Sequence, residues 1–150
     1  MMRVDSSEST VLVMADDDPA DCLLTEKALR KADITCPLYV VHDGAELMDY
    51  LTHRGDYADP AAAPRPSLIL LDLNMPKVNG TEVLARLRDE PELRSIPVVV
   101  LTTSDEERDI ASSYALGANA YLVKPSAFDD MVSVAEIVKA HWLEAVRLPP

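Results

Sequence analysis

Cysteine and positive charge are scarce in this chain, and long apolar runs are missing; each shortage removes a class of protein. The two cysteines, Cys22 and Cys36, make neither a disulfide framework nor a metal pair. They read as free thiols of a reducing compartment, which points to the cytoplasm. Lys and Arg number 14 against 26 Asp and Glu, for a formal net charge of −12. That balance argues against nucleic-acid binding, where basic side chains must neutralise phosphates, and suits basic protein partners or cations. No apolar run reaches the roughly 20 residues of a membrane span, and Met1 to Thr10 lacks the apolar core of a secretory signal. What remains is 150 residues, 48% of them hydrophobic, enough for one soluble domain with a real core.

Short continuous apolar runs alternate with amphipathic segments throughout. The pattern predicts β1 Thr10–Met14, α1 Pro19–Ala32, β2 Leu38–Val41, α2 Ala45–His53, β3 Ser67–Leu71, α3 Gly80–Asp89, β4 Pro97–Leu101, α4 Asp105–Leu116, β5 Ala120–Val123 and α5 Ala127–Val146. Strands without polar alternation are those covered by helices on both faces. Helix starts support the parse: Asp18/Asp21, Asp43/Glu46, Asn79/Glu82, Ser104/Glu107 and Ser126/Asp129 have the spacing of an N-cap and an acidic third residue. The fold class is therefore a flavodoxin-like, doubly wound (βα)5 domain with a five-stranded parallel sheet in the order 2-1-3-4-5. A Pro- and Ala-rich loop fills residues 55–66. The organisation is a flexible lead-in over 1–9, a domain over 10–142 and a C-terminal arm over 143–150, with no repeat or second domain.

The strand ends carry the chemistry. Asp16 and Asp17 follow β1, Asp72 follows β3, Thr102 follows β4 and Lys124 follows β5. In a parallel sheet these carboxyl ends share one rim, where ligands bind. Singly, each has an ordinary reading: a solvated acidic loop at a helix start, a turn-initiating Asp, a surface Lys, a strand-end Thr. Together, three acids, an amine and a hydroxyl describe a site for a hard divalent cation and a phosphoryl group. A metal-bound Asp carboxylate is also a competent nucleophile toward phosphorus. The loop Asn74-Met75-Pro76 can turn a carbonyl toward the same crevice.

These pieces resemble the receiver domains of response regulators, the phospho-accepting half of two-component signalling. The resemblance rests on Val13-Met14-Ala15-Asp16-Asp17, on Leu70-Leu71-Asp72-Leu73-Asn74-Met75-Pro76-Lys77-Val78-Asn79-Gly80, on Val99-Val100-Leu101-Thr102-Thr103, and on Gly117-Ala118-Asn119-Ala120-Tyr121-Leu122-Val123-Lys124-Pro125. It implies that Asp72 accepts a phosphoryl group from a phosphohistidine of a sensor histidine kinase. It implies Mg²⁺ held by Asp16, Asp17, Asp72 and the Asn74 carbonyl, with Asp16 acting through water. Lys124 and Thr102 would bind the phosphoryl group, and Thr102 with Tyr121 would form the switch. Asn79 stands where the family often has Asp.

A narrower resemblance is to the small regulators paired with bacterial and cyanobacterial phytochromes, through Ile96-Pro97-Val98-Val99-Val100-Leu101-Thr102-Thr103-Ser104, the Pro-rich loop before β3 and the ending from Trp142 to Pro149. It implies a phytochrome-type kinase as partner and a homodimer built on α4-β5-α5. The arm residues Trp142, Leu143, Val146 and Leu148 would then cross to the second subunit. No membrane or nucleic-acid partner and no enzymatic activity beyond self-phosphorylation and dephosphorylation are expected. The alternatives are a phosphorelay intermediate serving a histidine phosphotransfer protein, a pseudo-receiver that never takes up phosphate, and an aspartate-nucleophile phosphatase. The last would need an acid where Asn74 stands.

Overall fold

The computed structural model describes residues 10–145 and Leu148. Five parallel strands, β1 Leu12–Ala15, β2 Leu38–Val41, β3 Leu68–Leu71, β4 Val98–Thr102 and β5 Ala120–Val123, form one sheet in the order β2-β1-β3-β4-β5. They alternate with α1 Pro19–Lys31, α2 Gly44–Thr52, α3 Gly80–Asp89, α4 Glu107–Ala115 and α5 Phe128–Ile137. The predicted fold class and strand order are the observed ones.

Successive strand residues point to opposite faces, and the core divides accordingly. Val13, Ala15, Ile69, Leu71, Val98 and Val100 pack with Leu47 and Tyr50 of α2 and Val83, Leu84 and Leu87 of α3. Leu12, Met14, Leu68, Leu70, Val99 and Leu101 pack with Ala28 and Leu29 of α1 and Met131 and Ala135 of α5. Because both faces are covered, every residue of β1, β3 and β4 is buried. This is why those strands read as unbroken apolar runs.

Three of the five predicted caps form. Asp18 accepts from the amides of Ala20 and Asp21, Asp43 from Glu46, and Asn79 from Glu82. Ser104 and Ser126 do not cap. The helix α4 starts later, behind Glu106, and α5 behind Ala127, neither with a side-chain cap. The Ser104 hydroxyl instead donates to Asp109, in the first turn of α4, at 2.6 Å. The 55–66 loop holds two single 3₁₀ turns, Gly55–Tyr57 and Pro60–Ala62. It is pinned to α2 by the Tyr50 hydroxyl, which donates to the Pro64 carbonyl at 2.7 Å.

The last helix departs from expectation. Instead of one α-helix to residue 146, the chain rewinds as a π-helix over Val138–Ala145. Five-residue spacing puts Val138 and Leu143 on one side. Val138 is buried, and Leu143 and Trp142 lie half-buried against the α1–α5 face of their own chain. Part of the cover expected from a second subunit is therefore supplied internally. Leu148 is half-buried, while Val146 and the lead-in 1–9 lie outside the described residues.

Candidate functional site

Strand register assembles the site. Ala15 is paired with Leu71, so the next residues, Asp16 and Asp72, leave the sheet side by side, and the Asp72 amide bonds the Ala15 carbonyl at 3.0 Å. Leu71 is in turn level with Val100, and β4 runs two residues further to Thr102. Thr102 is level with Val123, which makes Lys124 the next residue beyond the edge; its amide bonds the Thr102 carbonyl at 2.7 Å. Gly80 lets α3 start against the same spot. A Cβ there would lie 2.5 Å from the Asp72 carbonyl oxygen and 2.7 Å from Leu73 Cα, so only glycine permits this approach.

Asp72 is 8% exposed, and each of its oxygens has a donor. Oδ1 accepts from the Thr102 hydroxyl at 2.8 Å and from the Asn74 amide at 3.1 Å; Oδ2 accepts from Lys124 Nζ at 3.0 Å. Lys124 also donates to Asp16 Oδ2, and to Asp21 Oδ2 at 3.2 Å. An ammonium has three N–H donors, and here each meets a different carboxylate. Asp16 Oδ1 accepts the Asp18 amide at 3.0 Å, which fixes the acid as the chain turns into α1.

Acids outnumber amines in this nest. Burial pushes the Asp16 carboxyl above its ordinary value, and the Asp72 charge adds to this, against the pull of Lys124 and the Asp18 amide. Burial alone would depress the Lys124 ammonium, but its hydrogen bond to Asp16 and the charges of Asp72 and Asp16 raise it well above the usual lysine range. Asp16, Asp17 and Asp72 can each offer one oxygen, all within 4.8 Å of one another. That all-oxygen set suits a hard dication, which would also relieve the excess negative charge. Buried Asp16 and Asp72 form its floor, and exposed Asp17 its open side.

The sequence-derived site residues Asp16, Asp72, Thr102 and Lys124 are thus brought into direct contact. Asn74 enters through its amide. Tyr121 stands apart from the acids: half-buried on β5, its hydroxyl donates to the Ser104 carbonyl at 2.8 Å, just past Thr102. Asp21 was legible in the sequence only as a capping acid. Its position on the first turn of α1, five residues after Asp16, was the available signal that it faces the same rim. Trp142 and Leu143 lie on their own chain's core, away from this rim.

Residues 11–136 match the family model described as the response regulator receiver domain. The chain belongs to this family. Receiver domains work in two-component signalling, carry a phosphoryl group on an aspartate and hold a divalent metal at this acidic pocket. The chain is 40% identical to response regulator Rcp1 of Synechocystis over 148 residues, covering 99% of each. The structure of the Mn(2+)-bound form of Rcp1 superposes with a TM-score of 0.84 at 41% identity, covering 94% of this chain and 99% of that one. The phosphorylated cyanobacterial phytochrome response regulator RcpA gives 0.86 at 40% identity over the same shares. RPA3017, from red light signalling of R. palustris, gives 0.89 at 35% identity, again covering 94% and 99%. This receiver is thus similar to phytochrome response regulators. No helix among its described residues is long and apolar enough to cross a membrane.

Proposed function

We propose that this receiver accepts a phosphoryl group on Asp72 from a phosphohistidine of a phytochrome-type sensor histidine kinase in the cytoplasm. The observation that carries the reading is the buried Asp72 carboxylate, held by both Thr102 and Lys124 beside the acids that follow β1. One Asp72 oxygen bonds to phosphorus as the phosphorus–nitrogen bond breaks. The electron pair returns to the imidazole, which leaves protonated as neutral histidine. Lys124 and Thr102 balance the charge of the transferred group, and water later returns Asp72 and inorganic phosphate. Asp16, Asp17, Asp72 and the Asn74 carbonyl would hold Mg²⁺, which supplies charge neutralisation between acceptor and phosphoryl oxygens. The donor set supports that choice, being all oxygen and partly open to water.

The receiver spans residues 10–142, and the arm over 143–150 joins α4-β5-α5 in a homodimer. Exposed Tyr114, Val123 and Ile137 support that surface. Similarity to RcpA and RPA3017 supports the kinase class. Engagement of Thr102 by the phosphoryl group would release its bond to Asp72 and bias Tyr121, which hangs from the neighbouring Ser104 carbonyl.

Intact-protein mass after incubation with acetyl phosphate tests the acceptor. One phosphoryl adduct that requires Mg²⁺ and disappears in Asp72→Asn is the expected result. Wild-type protein that stays unmodified both with acetyl phosphate and with a phosphorylated phytochrome kinase would overturn it.

A further inference from the structure

Three carboxylates hold Lys124, and only two of them belong to the acceptor and metal set. The third, Asp21, comes from the first turn of α1 rather than from a strand end. Its Oδ2 lies 3.2 Å from Lys124 Nζ, with the Asp21 side chain 38% exposed and the Lys124 side chain 6% exposed. We propose that Asp21 is a positioning residue for phosphoryl transfer: it anchors the Lys124 ammonium through a contact that neither metal nor phosphoryl group takes over. The inference rests on Asp72 being the acceptor.

Lys124 Nζ spends its three N–H groups on Asp16, Asp72 and Asp21. In the phosphorylated site, the bond to Asp72 is exchanged for one to a phosphoryl oxygen. A cation shared by Asp16, Asp17 and Asp72 competes with Lys124 for Asp16. Asp21 is absent from the group of acids close enough to share that cation, so its bond persists through both changes. A side chain with four rotatable bonds and no fixed partner would otherwise swing outward, taking with it the charge that meets the incoming phosphoryl group. The α1 helix is itself fixed next to the site by the Asp18 cap and by Pro19 at its start. The anchor thus ties the ammonium to a rigid element rather than to the reacting strand ends.

The test is a double-mutant cycle on the full chain, with Asp21→Asn, Lys124→Ala and both together, and Asp21→Glu as the conservative rescue. Adduct formation by wild type and its loss in Asp72→Asn establish the acceptor independently. Asp21→Asn should slow phosphoryl uptake from acetyl phosphate by about two- to fivefold, the range of a partly exposed ion pair. Asp21→Glu should recover most of the rate, and Asp21→Asn should add nothing in the Lys124→Ala background. The ¹⁵N signal of the Lys124 ammonium, protected from exchange in wild type, should broaden or vanish in Asp21→Asn while the unfolding midpoint barely moves. An unchanged uptake rate and ammonium signal would overturn the proposal. So would an equal loss in the Lys124→Ala background, because Asp21 would then act by some route other than Lys124.

Discussion

The Thr102 hydroxyl donates to Asp72 Oδ1 at 2.8 Å, and both residues are buried. One acceptor oxygen is thereby tied to the strand that leads to Ser104, whose carbonyl accepts the Tyr121 hydroxyl. Thr102→Ala removes the donor and leaves that oxygen with the Asn74 amide alone. We expect a stability loss of about 1–2 kcal/mol, continued adduct formation on Asp72, and no change in the Tyr121 environment on phosphorylation. Denaturant unfolding and tyrosine NMR signals check this, with Thr102→Ser as the variant that retains the response.

Divalent metal should stabilise the fold, because the folded nest gathers acids that the unfolded chain disperses. At a Mg²⁺ concentration of about one hundred times Kd the gain is about 2.7 kcal/mol. Asp17→Asn should lose most of it. Lys124→Ala leaves Asp16 and Asp72 buried without their ammonium, at a cost of about 3 kcal/mol without metal, and its gain on adding Mg²⁺ should exceed that of wild type. Thermal melts with Mg²⁺ and with chelator decide the matter; equal metal shifts in the two proteins would contradict it.

The Pro-rich loop should report on acid. Burial alone would raise the Glu46 carboxyl, but hydrogen bonds from the Tyr57 hydroxyl and the His42 amide outweigh it, and the carboxyl lies below its ordinary value. A depressed acid contributes stability that is fully present above its unfolded pKa of about 4.3 and lost as pH falls through the folded value. Tyr57→Phe should therefore be less stable than wild type by about 1 kcal/mol at pH 6. The difference should shrink as pH falls below about 4 and on through the lowered folded value, where Glu46 becomes protonated in the folded state as well. Urea titrations at a series of pH values measure this.

The C-terminal segment should separate two roles. Trp142 packs on its own chain, so Trp142→Ala should cost about 1–2 kcal/mol at any protein concentration. Deleting residues 144–150 should instead weaken self-association and leave the monomer's unfolding nearly unchanged. Sedimentation at micromolar concentration distinguishes them; identical dimer fractions would remove the arm from the interface.

The sequence by itself determined the fold and the rim on which the strand-end polar residues meet, because both are written in short-range patterns. Strands buried on both faces must be continuous apolar runs, as Leu68–Leu71 shows. A polar residue placed after each such run can only fall on the one rim of a parallel sheet. Where a cap depended on local spacing alone, at Asp18, Asp43 and Asn79, it formed as read. Only tertiary structure decided the rest. Ser104 has a cap's spacing, yet its carbonyl is taken by the Tyr121 hydroxyl of the neighbouring strand. Trp142 reads as an uncovered aromatic until π winding turns it onto the core. Asp21 reads as a capping acid until register brings Lys124 within 3.2 Å of it, across a separation in sequence that no local spacing encodes.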